Sequence, residues 1–400
     1  MLRLALPSLL LALPADLPIE RPVPTPPAED ACARLEQASG APADAAPLLH
    51  ACLSTLQPGA SLALVPGVYT LRTTLVIDRP VTLTTRGLAA DAPGCRADGD
   101  PRCAMLAIGQ IDGAATDGAM PVEITAPNVT LSHLVIRGAK GIKPARDKRL
   151  CADPRTRPLG GGIRVRAAGF MLARSVVRDM ACYTAIEMLP GVDRPVVREN
   201  IIGPNGDHRP GERWADGVTI HDATNAIFAE NSFFDNTDVQ LIFGGCRDCT
   251  VTGNVFRHGG SFAGSSFAEL MIHSWPHTSG AYDGSVFSNN DVDCGAAIRC
   301  GFGILVGANP WYPGKASGGT VKDNRVKRAM IGLNVDGLTG PVTFGANAVS
   351  GSGGRFGSGC GTRTWPAVNI APASRGFVRG AMPMAGSLDT RTCLLNRKPR

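Results

Sequence analysis

Aromatic residues make up only 5% of the 400-residue chain, and charged residues only 18%. With so few rings, and with Lys and Arg scattered, the stacking platforms and basic stripes that hold nucleic acid are excluded. Beyond the N-terminus no segment reaches the roughly 18 consecutive apolar residues of a membrane span. The formal charge of +6 permits an acidic substrate without demanding one. What the chain does have is Gly 48 and Pro 31, a composition that favours many short strands and turns over long helices.

The first residues, MLRLALPSLLLALPAD, carry one basic residue, an apolar stretch and a small residue at Ala15. They read as a secretory signal peptide over 1–15, followed by a Pro-rich linker over 16–30. The Ala- and Leu-rich segment 31–57 reads as an N-terminal capping helix. Cysteines number 12, an even count that suits an oxidising compartment. Local pairs suggest themselves: Cys32/Cys52, Cys95/Cys103, Cys151/Cys182, Cys246/Cys249, Cys294/Cys300 and Cys360/Cys393. A zinc site at Cys246, Cys249, Cys294 and Cys300 is the competing reading, since two thiolates two residues apart can share a tetrahedral ion.

Short runs from Gly162 onward repeat one another. They are Gly162-Ile-Arg-Val-Arg, Ala185-Ile-Glu-Met-Leu, Gly217-Val-Thr-Ile-His, Asp238-Val-Gln-Leu-Ile, Glu269-Leu-Met-Ile-His, Gly303-Ile-Leu-Val-Gly and Gly332-Leu-Asn-Val-Asp. The second and fourth positions are apolar in every run, the alternation of strands with one buried face. The runs recur at intervals of about 20 to 35 residues, the spacing of a solenoid. In step with them stand Asn200, Asn231, Asn254, Asn290, Asn324 and Asn347, each before an apolar residue. Asn tolerates left-handed backbone at tight turns, and its amide can bond to the copy one coil above.

These stacked runs, the Val65-Pro-Gly-Val-Tyr69 segment and the Asn column resemble the pectate lyase superfamily over residues 58–355. The resemblance implies an all-β chain, a right-handed parallel β-helix solenoid with an N-terminal capping helix. Residues 356–400 are then an irregular C-terminal tail packed on the solenoid. The activity classes implied are polysaccharide lyases, inverting glycoside hydrolases, uronan epimerases and phage tailspikes. Calcium-dependent pectate lyases carry Trp-Ile-Asp-His where this chain has Phe228-Ala-Glu-Asn231, and acidic residues four apart where Asp238 is followed by Ile242. Asp238 is therefore the one ligand position carried over for a divalent cation such as calcium, and no further metal ligand is assigned.

Odd positions of each run are expected to face outward, stacked about 4.8 Å apart. Asp238 and Glu269 then fall in one outer column on neighbouring coils, flanked by His221 and His273. These four are the candidate catalytic residues. Candidate substrate-binding residues are Arg213, Asp216, Asp222, Gln240, Trp275, His277, Trp311 and Tyr312, which edge those runs or lie in the loops after them. Each has a plainer reading as turn cap, solvated strand residue or loop packing. Two chemistries suit the patch. In β-elimination on a uronate, His221 or His273 is the base, and Arg213 or a cation neutralises the substrate carboxylate. In inverting hydrolysis, paired carboxylates serve as acid and base. The expectation is a secreted or periplasmic monomeric enzyme that cleaves polysaccharide, the lyase reading first. A non-catalytic glycan-binding or adhesive solenoid is the rival class.

Overall fold

The structure is a computed structural model that describes residues 28–393, apart from 42, 97–98, 110–117, 142, 209–212, 261–263, 311 and 313. The signal segment, most of the Pro-rich linker and Trp311 lie outside the described residues. Three long sheets of 11, 10 and 10 strands run the length of the chain. In each, neighbouring strands are roughly every third strand of the sequence, so one coil contributes one strand to each sheet. Every pairing in these sheets is parallel; outside them, the C-terminal hairpin Gly354–Ser358 with Gly361–Trp365 is antiparallel. This is a right-handed parallel β-helix, the hand that parallel crossovers adopt.

The alternation read from the sequence supplies the interior. Ile163, Ile186, Val218, Leu270, Ile304 and Leu333 stack in one fully buried column. The N-terminal cap consists of two helices, Ala28–Gln37 and Ala46–Thr55, so it begins inside the expected linker. Both place buried Leu and Ala side chains on the first coils, covering the apolar end that a solenoid cannot leave open.

The asparagines form the expected ladder. Asn200, Asn231, Asn254, Asn290 and Asn324 each donate from Nδ2 to Oδ1 of the next Asn at 2.9–3.0 Å. The left-handed turn falls one residue earlier, at Glu199, Glu230, Gly253, Asn289, Asp323 and Ala346. Asn is selected here for its amide, which satisfies buried backbone as well as its neighbour. All six expected cysteine pairs are disulfide-bonded. The sulfurs of Cys246, Cys249, Cys294 and Cys300 are consumed in two of them, which removes the four-thiolate zinc reading.

One coil departs from the expected register. Val218 and Ile220 pair with Leu241 and Phe243, not with Val239 and Leu241. The run Val239-Gln-Leu-Ile-Phe243 offers three alternating apolar residues for two inward places, and a slip of two keeps every face correct. Asp238 consequently precedes the strand by one residue, and Gln240 rather than Asp238 lies level with Glu269.

Candidate active site

Glu269 does not face outward. It is fully buried in the strand Ser266–His273, in a column with Gly162, Ala185, Gly217, Gln240, Gly303 and Gly332. Its carboxylate accepts from Gln240 Nε2 at 3.1 Å, from His258 Nε2 at 2.8 Å and from the Ser266 hydroxyl. His258 Nδ1 meets Asp235 Oδ1 at 2.8 Å on its other side. Burial alone would push the imidazole down, but Glu269 and Asp235 outweigh it and hold His258 up at about 10. Asp235, His258, Glu269 and Gln240 thus form a satisfied interior ion cluster. Neither Glu269 nor Gln240 reaches a surface where substrate could meet it. Beside Glu269 lie Cys294 and Cys300, the one group of potential metal-binding side chains among the described residues. Two of its three donors are tied up in a disulfide, so it is no cation site.

His221 is also engaged. Its Nε2 lies 2.9 Å from Glu187 Oε1, which accepts from the Tyr183 hydroxyl at 2.7 Å; Arg164 Nε donates to Glu187 Oε2 at 2.6 Å. Burial pushes Glu187 up, yet His221, Arg164 and Tyr183 together hold it below the usual carboxylate range. The edge of the His221 ring packs on Trp275 with centroids 5.4 Å apart. The next residue, Asp222, accepts from the Ser279 amide at 3.1 Å and from its hydroxyl. Consecutive residues of one coil therefore pin both ends of the loop that carries Trp275 and the exposed His277. Arg213 is buried and spent on Asp147 at 3.3 Å and Asp207 at 3.9 Å. The pair with Asp147 ties the helix Pro144–Ala152 to the solenoid, and Arg213 is not presented to a substrate.

A cavity of about 380 Å³ opens beside these groups. Its carboxylates are Asp216 and Asp238, and its aromatic walls are Trp214, Trp275 and Tyr312. His208 and His273 complete the polar lining, and Val239, Ile242 and Met271 form the apolar part. Asp216 Oδ1 accepts from the Val239 amide at 3.0 Å, and Oδ2 from the Thr219 hydroxyl at 2.8 Å. Burial, followed by the charge of Asp238, pushes the Asp216 carboxyl up to about 8. The pair of carboxyls therefore keeps one proton to a higher pH than a lone carboxyl would. His273 is driven the other way: burial pushes its imidazole down to about 4, so it is neutral across the physiological range.

Asp216, Asp238, His273, Trp275 and Tyr312 are thus brought together; Glu269, Gln240, Arg213, Asp222, His221 and His277 are not part of the cavity lining. Sequence reasoning missed His208 and Trp214. His208 sits in an aperiodic excursion, held by Ser265 O at 2.8 Å, and nothing in the repeat points to it. Trp214 had one signal, its rarity in an aromatic-poor chain. The Arg157 guanidinium covers its ring at 3.7 Å and donates to its carbonyl at 3.0 Å.

Calcium takes six to eight oxygen ligands. Among the described residues the cavity lining offers two carboxyl groups and the Tyr312 hydroxyl, fewer side-chain oxygen groups than such an ion takes. That donor set does not fit such an ion.

No protein-family model and no curated protein matches the chain. Among solved structures it is similar to the Dettilon tailspike protein, at 14% identity and TM-score 0.44, over 79% of this chain and 64% of that one. An alginate lyase from Paenibacillus sp. FPU-7 is 15% identical with TM-score 0.46, over 84% and 97% of the two chains. The mannuronan C-5 epimerase AlgE6 A-module of Azotobacter vinelandii is 13% identical with TM-score 0.49, over 82% and 75%. The chain spans less than two thirds of the tailspike's length. All three TM-scores lie below 0.5, and the parallel β-helix rests on the order and pairing of this chain's own sheets.

Proposed function

We propose that the protein is a carbohydrate-active enzyme that hydrolyses a glycosidic bond in the cavity, with Asp216 as general acid and Asp238 as general base. The observation that carries this reading is the pair itself: two neighbouring carboxyl groups in one aromatic-walled cavity, one of them raised to about 8. Paired groups pushed apart in acidity are what acid–base glycoside hydrolysis requires. As the bond from the sugar C1 to the leaving oxygen breaks, Asp216 gives its proton to that oxygen. Asp238 takes a proton from the water whose oxygen bonds to C1, and exchange with solvent then returns both groups to their starting states. Trp214, Trp275 and Tyr312 suit the apolar faces of sugar rings. The six disulfides support action in an oxidising, extracytoplasmic space.

Elimination from a uronate, placed first on sequence grounds, draws less support. A base must take a carbon-bound proton, and a histidine pushed down to about 4 is a weak one. His221 is committed to Glu187, and Arg213 to Asp147. The adhesin reading loses ground for a different reason, since an adhesive sheet needs no cavity with converging acids.

A polysaccharide panel read both for new reducing ends and for unsaturated-uronate absorbance tests the proposal. We expect reducing ends without absorbance, and a rate that falls as pH rises through about 8, where Asp216 loses its proton. Asp216→Asn and Asp238→Asn should each lower turnover roughly a hundredfold or more, with melting nearly unchanged. Wild-type rates in both variants, or unsaturated products, would overturn the proposal.

A further inference from the structure

We infer that the sugar at the bond being cut carries no carboxylate and presents a methyl group, as in a 6-deoxy or an acetylated residue. The inference rests on the hydrolytic reading of the same cavity and deepens it. Three observations carry it.

The first is the apolar wall. Val239, Ile242 and Met271 line the cavity, and behind them Phe267, Ala268, Phe302 and Leu305 make one continuous apolar cluster. A sugar fringed only with hydroxyls would lose water there and gain no hydrogen bond, whereas a methyl group is matched. The second is charge. Among the described residues that line the cavity, the ionisable groups are two carboxyls, two histidines and Tyr312. The Arg157 guanidinium stands behind Trp214 and donates to the carbonyls of Cys151 and Trp214 at 2.9 and 3.0 Å. A uronate in the cavity would set its carboxylate against Asp238, offset by the Arg157 charge that reaches Asp216 from behind Trp214. The third is the surrounding field. Residues 201–310, which supply all the lining but Tyr312, hold twelve Asp or Glu against five Lys or Arg, several of them paired with one another.

The test uses matched polymers. Polygalacturonate is compared with its carboxyl-reduced form, and acetylated glucomannan with the same polymer after alkaline deacetylation. Binding is read by affinity electrophoresis of the full chain, and reducing ends are measured in parallel. We expect retention at least tenfold stronger for the reduced and for the acetylated member of each pair. Ile242→Arg, which places a cation in the apolar wall, should narrow or reverse the first preference. Equal or stronger retention by the uronate and deacetylated polymers, or retention by none of the four, overturns the inference. Binding in the expected order without reducing ends keeps the cavity's preference for an uncharged, methyl-bearing sugar and sinks the hydrolytic reading instead.

Discussion

One column of side chains on the sheet that carries the site changes character halfway along. In its N-terminal half it reads Glu123, Arg164, Glu187, Thr219; in its C-terminal half Ile242, Met271, Leu305, and then Asn334 and Asn369. The backbone is the same throughout. In the first half Arg164 lies between Glu187 at 2.6 Å and Glu123 at 3.5 Å, and Arg166 adds a second contact to Glu123 at 2.8 Å. In the second half the side chains join an apolar cluster. Stacking at one strand spacing makes each residue the environment of its neighbours, so the buried charges alternate in sign and the apolar residues fall in one run. The cavity lies at the junction, where Asp216 and Thr219 on one coil meet Val239 and Ile242 on the next. A paired acid beside an apolar wall is available only at such a boundary.

The largest effect should come from the inward column that both halves share. Leu270 is fully buried, and Leu270→Asp would place an unpaired carboxylate in the core. We expect no folded protein, judged by soluble yield and melting; an unchanged melting curve would mean that the inward register is wrong.

Next in size is a break confined to the ionic half. Glu187→Leu leaves Arg164 buried without its closest carboxylate and should cost about 3–5 kcal/mol. The double replacement Arg164→Met with Glu187→Leu makes this half resemble the other and should recover most of that loss. Denaturant unfolding of both variants measures the difference. A double variant as unstable as the single one would show that the two halves are not interchangeable solutions.

A smaller, pH-dependent effect sharpens the contrast between two buried histidines. His258 is raised from 6.5 to about 10, so its stabilisation is fully present below pH 6.5 and is lost as pH rises to about 10. His273 is lowered from 6.5 to about 4, so stability is lost as pH falls through that lower window. Melting temperature against pH should therefore fall on both sides. His258→Gln should flatten the alkaline side alone, and His273→Gln the acid side alone. If both substitutions altered the same side, the ion cluster around His258 would not be the cause.

The sequence by itself determined the solenoid, the inward face of most runs, the asparagine ladder and the six disulfides. These follow from spacing: period-two alternation selects a face, and an amide that recurs once per coil finds its own copy above it. Cys95–Cys103, Cys246–Cys249 and Cys294–Cys300 lie 3 to 8 residues apart and need little knowledge of the fold to meet, whereas the other three pairs, 20 to 33 apart, are brought together by it. Only the tertiary structure decided which acids share the site. The repeat points to Asp238 but sets it level with Glu269, because one run with three alternating apolar residues can slip by two without exposing any of them. Parity could not show that Gln240 and Glu269 lie in a column otherwise of glycine and alanine and turn into the interior. Nor could it show that Asp216 and Val239, which share the parity of core residues, line a cavity at the start of their strands. His208 and Trp214 reach the site from a loop whose path no periodicity encodes. The repeat carries the stack because each coil copies the last, and the site escapes it because it is built where neighbouring coils stop being alike.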